Sequence, residues 1–161
     1  MYQEQGYDFM IRLLSFLLPA LFIAQAHAVE FTLHSPCDYS QKTIRTHIKI
    51  ENQHLISVGD ISLKVFKKYN IPFLGTNRGF NSILETPTGI DSLVIISHNE
   101  MLSYGWCFSV NGIAPEVYPH EYILKEGDLI NWWYGYAHFQ DGEWRGQCLS
   151  AKEDFLPVFC Q

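Results

Sequence analysis

Apolar and polar residues alternate strictly over residues 29–34 and again over residues 44–51. Because successive side chains of a strand point to opposite faces, this period of two predicts two strands, each buried on one face. The segment between them contains Pro36 and Asp38, which are common turn residues. The first part of the chain therefore predicts a β-hairpin.

A different period follows, with apolar residues at helical spacing across residues 61–69 and lysines on the opposite side. This amphipathic pattern predicts a helix that packs its apolar stripe on a sheet. Asp60 is the expected N-cap, Asn70 suits a left-handed end, and Pro72 prevents further helix. From residue 73 onward the pattern indicates strands and turns.

Two turn signals divide the second half of the chain. Residues 104–110 alternate cleanly and are followed by Asn111-Gly112, a pair that tolerates positive φ angles. After the second turn, Gly127-Asp128, residues 129–136 carry large apolar side chains on both faces. A strand of this kind is typical of a sheet centre covered on two sides. A hairpin, a helix and then further strands predict a single α+β domain.

The first 28 residues are expected to direct export rather than to join the fold. Arg12 precedes an apolar run over residues 13–23, and Ala26-His27-Ala28 has small residues where signal peptidase reads. The run is shorter than the roughly 20 residues that a membrane-spanning helix needs. We predict a cleaved signal peptide over residues 1–28, with Met10 as the better start codon. An uncleaved anchor and a buried helix are the alternatives.

Export changes the interpretation of the four cysteines. An even number in an oxidising compartment favours two disulfides, whereas a zinc site needs closely spaced ligand pairs that are missing here. Three pairings are open, and we expect one bond to join Cys37 to Cys148 or Cys160. The remaining bond would use Cys107. The C-terminal tail, an extension from about residue 137, is thus expected to be stapled to the body.

Charge and motifs exclude several function classes. The formal net charge is −6, so the chain has no electrostatic reason to seek nucleic acid or an anionic membrane. After signal cleavage, no second apolar run is long enough to span a membrane. The histidines lack metal-ligand spacing, and no nucleophile elbow is present, so we expect no metal site and no catalytic residues.

Two segments carry a family resemblance: GWCFSVNG at residues 105–112 and YILKEGDLINW at residues 122–132. The Gly-Trp pair, the Val-Asn-Gly turn and the Leu-x-x-Gly-Asp turn before a tryptophan strand resemble bacterial domains of unknown function related to the transcobalamin C-terminal domain. The resemblance covers residues 29–136. It implies a β-grasp-like, soluble-ligand-binding fold, a small mixed sheet with one helix packed on it. It also implies a small-molecule ligand, with cobalamin or a related corrinoid as a candidate, and no required cofactor.

Aromatic residues are concentrated on the two strands of the signature. Because Trp132 and Trp133 adjoin, their side chains must point to opposite faces. We expect at least one of Trp106, Trp132 and Trp133 to stay partly exposed, with the others in the core. The exposed ring would lie beside Tyr104 or Tyr134 and form one wall of a ligand site. The candidate ligand-binding residues are Tyr104, Trp106, Asn111, Trp132, Trp133 and Tyr134, although the turn alone accounts for Asn111.

These features predict a non-enzymatic binding domain exported to the periplasm or beyond the cell, acting on a small flat or hydrophobic ligand. The alternative is a protein–protein interaction module whose aromatic edge contacts a partner protein. A concave aromatic pocket would favour the small molecule, and a flat exposed patch would favour the protein.

Export is testable directly. N-terminal sequencing of protein recovered from the periplasm or the medium is expected to begin at Val29, since signal peptidase would cut after Ala28. A cytosolic product that retains Met1 would contradict the prediction.

Overall fold

The computed structural model of the protein describes residues 28–50, 55–150 and 155–160. The predicted signal peptide lies outside these residues except for Ala28, so its cleavage stays a prediction. In the described part of the chain, no helix is long and apolar enough to cross a membrane.

The described residues form eight strands and one α-helix, joined by turns and short 3₁₀ segments at Gly89–Ser92 and Val158–Cys160. The elements in chain order are β1 Ala28–His34, β2 Lys42–Lys49, α1 Val58–Lys68, β3 Phe73–Thr76, β4 Gly79–Ile83, β5 Leu93–Ser97, β6 Glu100–Val110, β7 Leu129–Gln140 and β8 Glu143–Ser150.

Six of the strands make one mixed sheet: five follow the order β2-β1-β7-β6-β5, and the sixth, β8, pairs with β7. The long strand β7 pairs in parallel with β1 along its first part and antiparallel with β8 along its later part. Strands β3 and β4 form a separate antiparallel hairpin. The predicted α+β class is confirmed as a sheet-dominated fold with a helix packed on it, and the hairpin β1–β2 is confirmed as antiparallel.

The helix begins earlier than the sequence predicts. Its N-cap is Ser57, whose hydroxyl accepts a hydrogen bond from the Asp60 backbone N–H at 3.2 Å. The Asp60 carboxylate in turn accepts one from the Ser57 N–H at 3.3 Å, completing a capping box. Asp60 is therefore the third helical residue and not the cap. Asn70 has a φ of 52°, the predicted left-handed end.

Gly59 explains why the first turn was missed, because a glycine there argues against a helix. The backbone carbonyl of Asn77 lies so close that a Cβ at residue 59 would be 1.9 Å from its oxygen. The Asn77 amide also donates to the Asp60 carboxylate at 3.0 Å. The β3–β4 hairpin is thus docked on the helix start through a contact that only glycine allows.

The main core lies between α1 and one face of the sheet. Phe66 of the helix contacts Phe31 of β1 and Phe80 of β4, with ring centroids 6.1 and 5.0 Å apart. Trp132 is 1% exposed, and its indole N–H donates to the Ser62 hydroxyl at 3.0 Å. Each such buried side chain contributes about 1.5–3 kcal/mol. This face of the sheet is called the helix face below.

Two disulfides close the described fold, as predicted. Cys37 in the β1–β2 loop is bonded to Cys160, one of the two expected pairings, and Cys107 on β6 is bonded to Cys148 on β8. The first bond holds the tail segment, residues 155–160, across the helix face beyond α1. The Tyr104 hydroxyl donates to the Phe155 carbonyl at 2.8 Å beneath it.

The two bonds should differ in their effect on stability. The Cys37–Cys160 bond spans 123 residues and the Cys107–Cys148 bond spans 41. Loop entropy gives about 5 kcal/mol for the first and about 4 kcal/mol for the second. We expect denaturant unfolding of the C37S/C160S and C107S/C148S variants to show losses of that order. Alkylation of cysteines in the unreduced wild-type protein would contradict the assignment.

Candidate functional site

The register between β6 and β7 places most of the aromatic candidates on the helix face. Tyr104 lies opposite Tyr136, Trp106 opposite Tyr134, and Phe108 opposite Trp132. Cys107 lies opposite Trp133 on the other face. Trp132 and Trp133 therefore point to opposite faces, as predicted from their adjacency.

Neither of these two adjacent tryptophans offers a wall to a ligand. Trp132 belongs to the main core, and Trp133 is 8% exposed on the opposite face. The Trp133 ring lies 6.2 Å from that of Tyr39, and its N–H donates to the Cys148 carbonyl at 3.3 Å. The Trp133 ring is thus covered by the β1–β2 loop and by Cys148, which belongs to the C-terminal extension from residue 137.

Trp106 is the tryptophan that stays half-buried. Its ring lies 5.5 Å from Tyr134, and its indole N–H donates to the Thr86 hydroxyl at 2.8 Å. Because the indole N–H is already hydrogen-bonded within the protein, only the π face and the edge of the ring are available for contact with another molecule. This is the arrangement expected of a partly exposed tryptophan beside Tyr104 or Tyr134.

An open cleft of about 540 Å³ lies over this ring. Its aromatic side chains come from β4 and β6, and its polar side chains come from β4 and from the segment that leads to β5. The aromatic lining is Phe80, Tyr104 and Trp106, and the polar side chains are Asn81, Thr88 and Ser92. The cleft thus joins segments that are far apart in sequence.

The segment that positions Trp106 is shaped by an unusual turn. Leu84 and Glu85 both have positive φ angles, 57° and 60°, which bulky non-glycine residues rarely adopt. The Thr86 N–H closes the turn on the Ile83 carbonyl at 3.3 Å, and the Ser82 hydroxyl donates to the Thr86 carbonyl at 2.7 Å. These bonds hold Thr86 where its hydroxyl meets the indole of Trp106.

Tyr104 lines the cleft, and Tyr134 lies next to it beneath the tail. Their rings stack with centroids 5.9 Å apart, and the Tyr134 hydroxyl donates to the Pro87 carbonyl at 3.3 Å. Burial raises the pKa of each phenol to about 12, with a smaller contribution from Tyr136 at Tyr104 and from Tyr104 at Tyr134. Both hydroxyls therefore remain protonated donors at neutral pH, and they bind the tail and the loop.

Asn111 lies away from the cleft. It occupies the predicted turn, with φ angles of 54° at Asn111 and 80° at Gly112. Its amide donates to the Asp128 carboxylate at 2.8 Å, and its oxygen accepts from the Leu129 N–H at 3.0 Å. The side chain thus joins the two predicted turns, and the structure brings it together with none of the aromatic candidates.

Four cleft residues were not among the sequence candidates, namely Phe80, Asn81, Thr88 and Ser92, and neither was Thr86, which holds the Trp106 indole from behind. They lie in the β4–β5 region, where the sequence pattern indicated only strands and turns. Among the described residues, no three His, Cys, Asp or Glu side chains come together as a metal site would need.

Residues 88–136 match the family described as a domain of unknown function (DUF4430). The matched segment runs from the polar side of the cleft through β5 and β6 into β7, and it includes Trp106. The match supports the expected relation to a family of domains of unknown function. No curated protein and no solved structure matches the chain.

Stability should separate the core tryptophan from the cleft tryptophan. Trp132→Ala is expected to lower the free energy of unfolding by about 3–5 kcal/mol, because it leaves a cavity in the main core. Trp106→Ala should cost roughly half as much, since that ring is only half-buried. Trp144→Ala, at a residue 50% exposed on β8, is the control. Equal losses for Trp106 and Trp132 in denaturant titrations would remove Trp106 from the candidate site.

Proposed function

We propose that the protein is an exported, non-enzymatic binding domain whose cleft holds a small molecule by a flat or apolar face against Trp106. The observation that carries the proposal is the half-buried indole at an open cleft of about 540 Å³. That volume falls within the roughly 300–1,000 Å³ of small-molecule sites. An aromatic ring held by a hydrogen bond gives large contact area at low cost in conformational entropy.

Export is supported by the two disulfides, since such bonds persist in oxidising compartments. They agree with the predicted signal peptide and with a site of action in the periplasm or outside the cell. The cleft needs no cofactor, because its lining side chains suffice for contact and hydrogen bonding.

A relation to transcobalamin C-terminal-like, β-grasp domains is part of the proposal. It is supported by the order of elements: a hairpin, a helix, and a late strand that returns parallel to β1. A corrinoid is a candidate ligand, but the open cleft would cover it on one face. The size of the cleft favours a smaller ring.

Native mass spectrometry of protein purified from its own source tests the proposal. Wild-type protein and the Trp144→Ala control are expected to carry a non-covalent small-molecule adduct, and Trp106→Ala is expected to lose it. A separate titration of the wild-type protein with cobalamin measures whether this corrinoid binds. An adduct retained equally by Trp106→Ala, or absent from all three proteins, would overturn the proposal.

A second candidate function, protein–protein interaction, is favoured by a different surface. One row of apolar side chains crosses four strands on the face opposite α1, because each residue lies directly across from the next. Ile95 is 66% exposed at one end of the row and Trp144 is 50% exposed at the other. The apolar row consists of Ile95, Met101, Phe139 and Trp144. Exposed apolar patches of this kind mark interaction sites.

The partner that best fits the apolar row is a second copy of the chain. The row ends at β5, an edge strand with no charged residue, whereas the opposite edge strand β2 carries Lys42, Arg45 and Lys49. Charged residues on an edge prevent strand pairing, so β5 is the unprotected edge. Antiparallel pairing of two β5 strands about Ile95 would join the two apolar rows.

Sedimentation velocity over a concentration series tests this second candidate. Wild-type protein is expected to self-associate, and Ile95→Lys to remain monomeric, because the substitution places a charge in the apolar row. Leu74→Lys, at an exposed residue of the separate hairpin, is the control. A monomeric wild-type protein at the highest concentration would exclude the dimer.

A further inference from the structure

The chemistry of the cleft lining narrows the class of ligand. None of the side chains that line it is Asp, Glu, Lys, Arg or His. A charged ligand would lose water there without gaining a counter-charge, which costs free energy. The ligand that fits this lining is therefore neutral.

Two polar groups at the cleft have no partner within the described residues. The side chains of Asn81 and Thr88 are exposed and make no side-chain hydrogen bond in that part of the chain. An amide and a hydroxyl can each donate and accept. By contrast, the indole N–H of Trp106 is bound to Thr86, and the Tyr104 hydroxyl is bound to the tail. The free hydrogen-bonding capacity thus lies beside the aromatic ring and not on it.

A purely apolar ligand would fit this arrangement poorly. It would leave one side in water because the cleft is open, and it would desolvate Asn81 and Thr88 without a compensating bond. A sugar ring has both required properties: its C–H face packs on an aromatic ring, and its equatorial hydroxyls donate and accept around the rim. Its outer face can remain in water.

From these observations we infer that the cleft binds a neutral carbohydrate, stacked by its C–H face on Trp106 and hydrogen-bonded by Asn81 and Thr88. This inference rests on the proposed function, because it specifies the ligand of the same cleft. It assigns Asn81 and Thr88 as specificity-determining residues. A sulfated or carboxylated glycan would find no partner for its charge in the lining.

Nuclear magnetic resonance of the indole N–H signals tests the inference, since the sequence has four tryptophans. The probes are maltotriose, cellotriose and the trimer of N-acetylglucosamine, with a sulfated trisaccharide and riboflavin for comparison. At least one neutral sugar is expected to shift the Trp106 signal, identified by its absence in Trp106→Ala. The sulfated sugar should bind at least tenfold more weakly.

Variants at the rim keep the test independent of folding. Asn81→Ala and Thr88→Val alter exposed side chains without internal hydrogen bonds, and each is expected to weaken sugar binding about five- to tenfold. Ile113→Ala, at an exposed residue just after the Asn111-Gly112 turn, should bind as the wild-type protein does. If riboflavin shifts the Trp106 signal and no neutral sugar does, the carbohydrate inference is wrong while the proposed function stands. If no probe shifts it and no native adduct is found, both fail.

Discussion

The antiparallel pairing of β6 and β7 runs from Glu100–Gln140 to Val110–Ile130 without a register shift. Because the side chains of a strand alternate, a slip of one residue would move every aromatic to the wrong face. Turns hold this register at both ends: Asn111 binds Asp128 at one, and the Asp141 N–H donates to the Asn99 carbonyl at 2.9 Å at the other. The cleft, the core and the apolar row all depend on this one alignment.

The helix face is divided into three zones along these strands. The helix covers Trp132 at one end, and the tail covers Tyr104, Tyr134 and Tyr136 at the other. Trp106 lies between the two covers, packed against residues of both clusters. The cleft therefore exists because the helix and the tail together are too short to cover the whole face. The β3–β4 hairpin and the loop after it form its remaining side.

Much of this architecture could be predicted from local patterns. Alternation identified β1, β2 and β6, Asn111-Gly112 identified a turn, and the adjacency of Trp132 and Trp133 fixed their opposite directions. The predicted helix start was wrong because Gly59 disfavours a helix in the local sequence. The reason for the glycine is the close approach of the Asn77 backbone, a tertiary contact that leaves no local signal. Likewise, Leu84 and Glu85 are residue types that rarely form turns. Their turn is held by the hydrogen bonds that Ser82 and Trp106 donate to Thr86.

The candidate site was predicted only in part for the same reason. Tyr104 and Trp106 lie on a strand with a clear period, so their shared face could be derived. Phe80, Asn81 and Thr88 enter the cleft through the docking of the β3–β4 hairpin, which depends on long-range packing. The Asn111 amide could bind a ligand by its chemistry, but it is already hydrogen-bonded to Asp128 and Leu129 at the second turn.

The bond between Cys37 and Cys160 also determines how the domain bears mechanical load. Tension applied between Ala28 and Cys160 would pass along β1 to Cys37 and then cross directly to Cys160. The helix, the cleft and strands β2 to β8 lie outside that path. The chain could stretch along this path only by shearing β1 away from β2 and β7, so the cleft would carry no load before β1 separated.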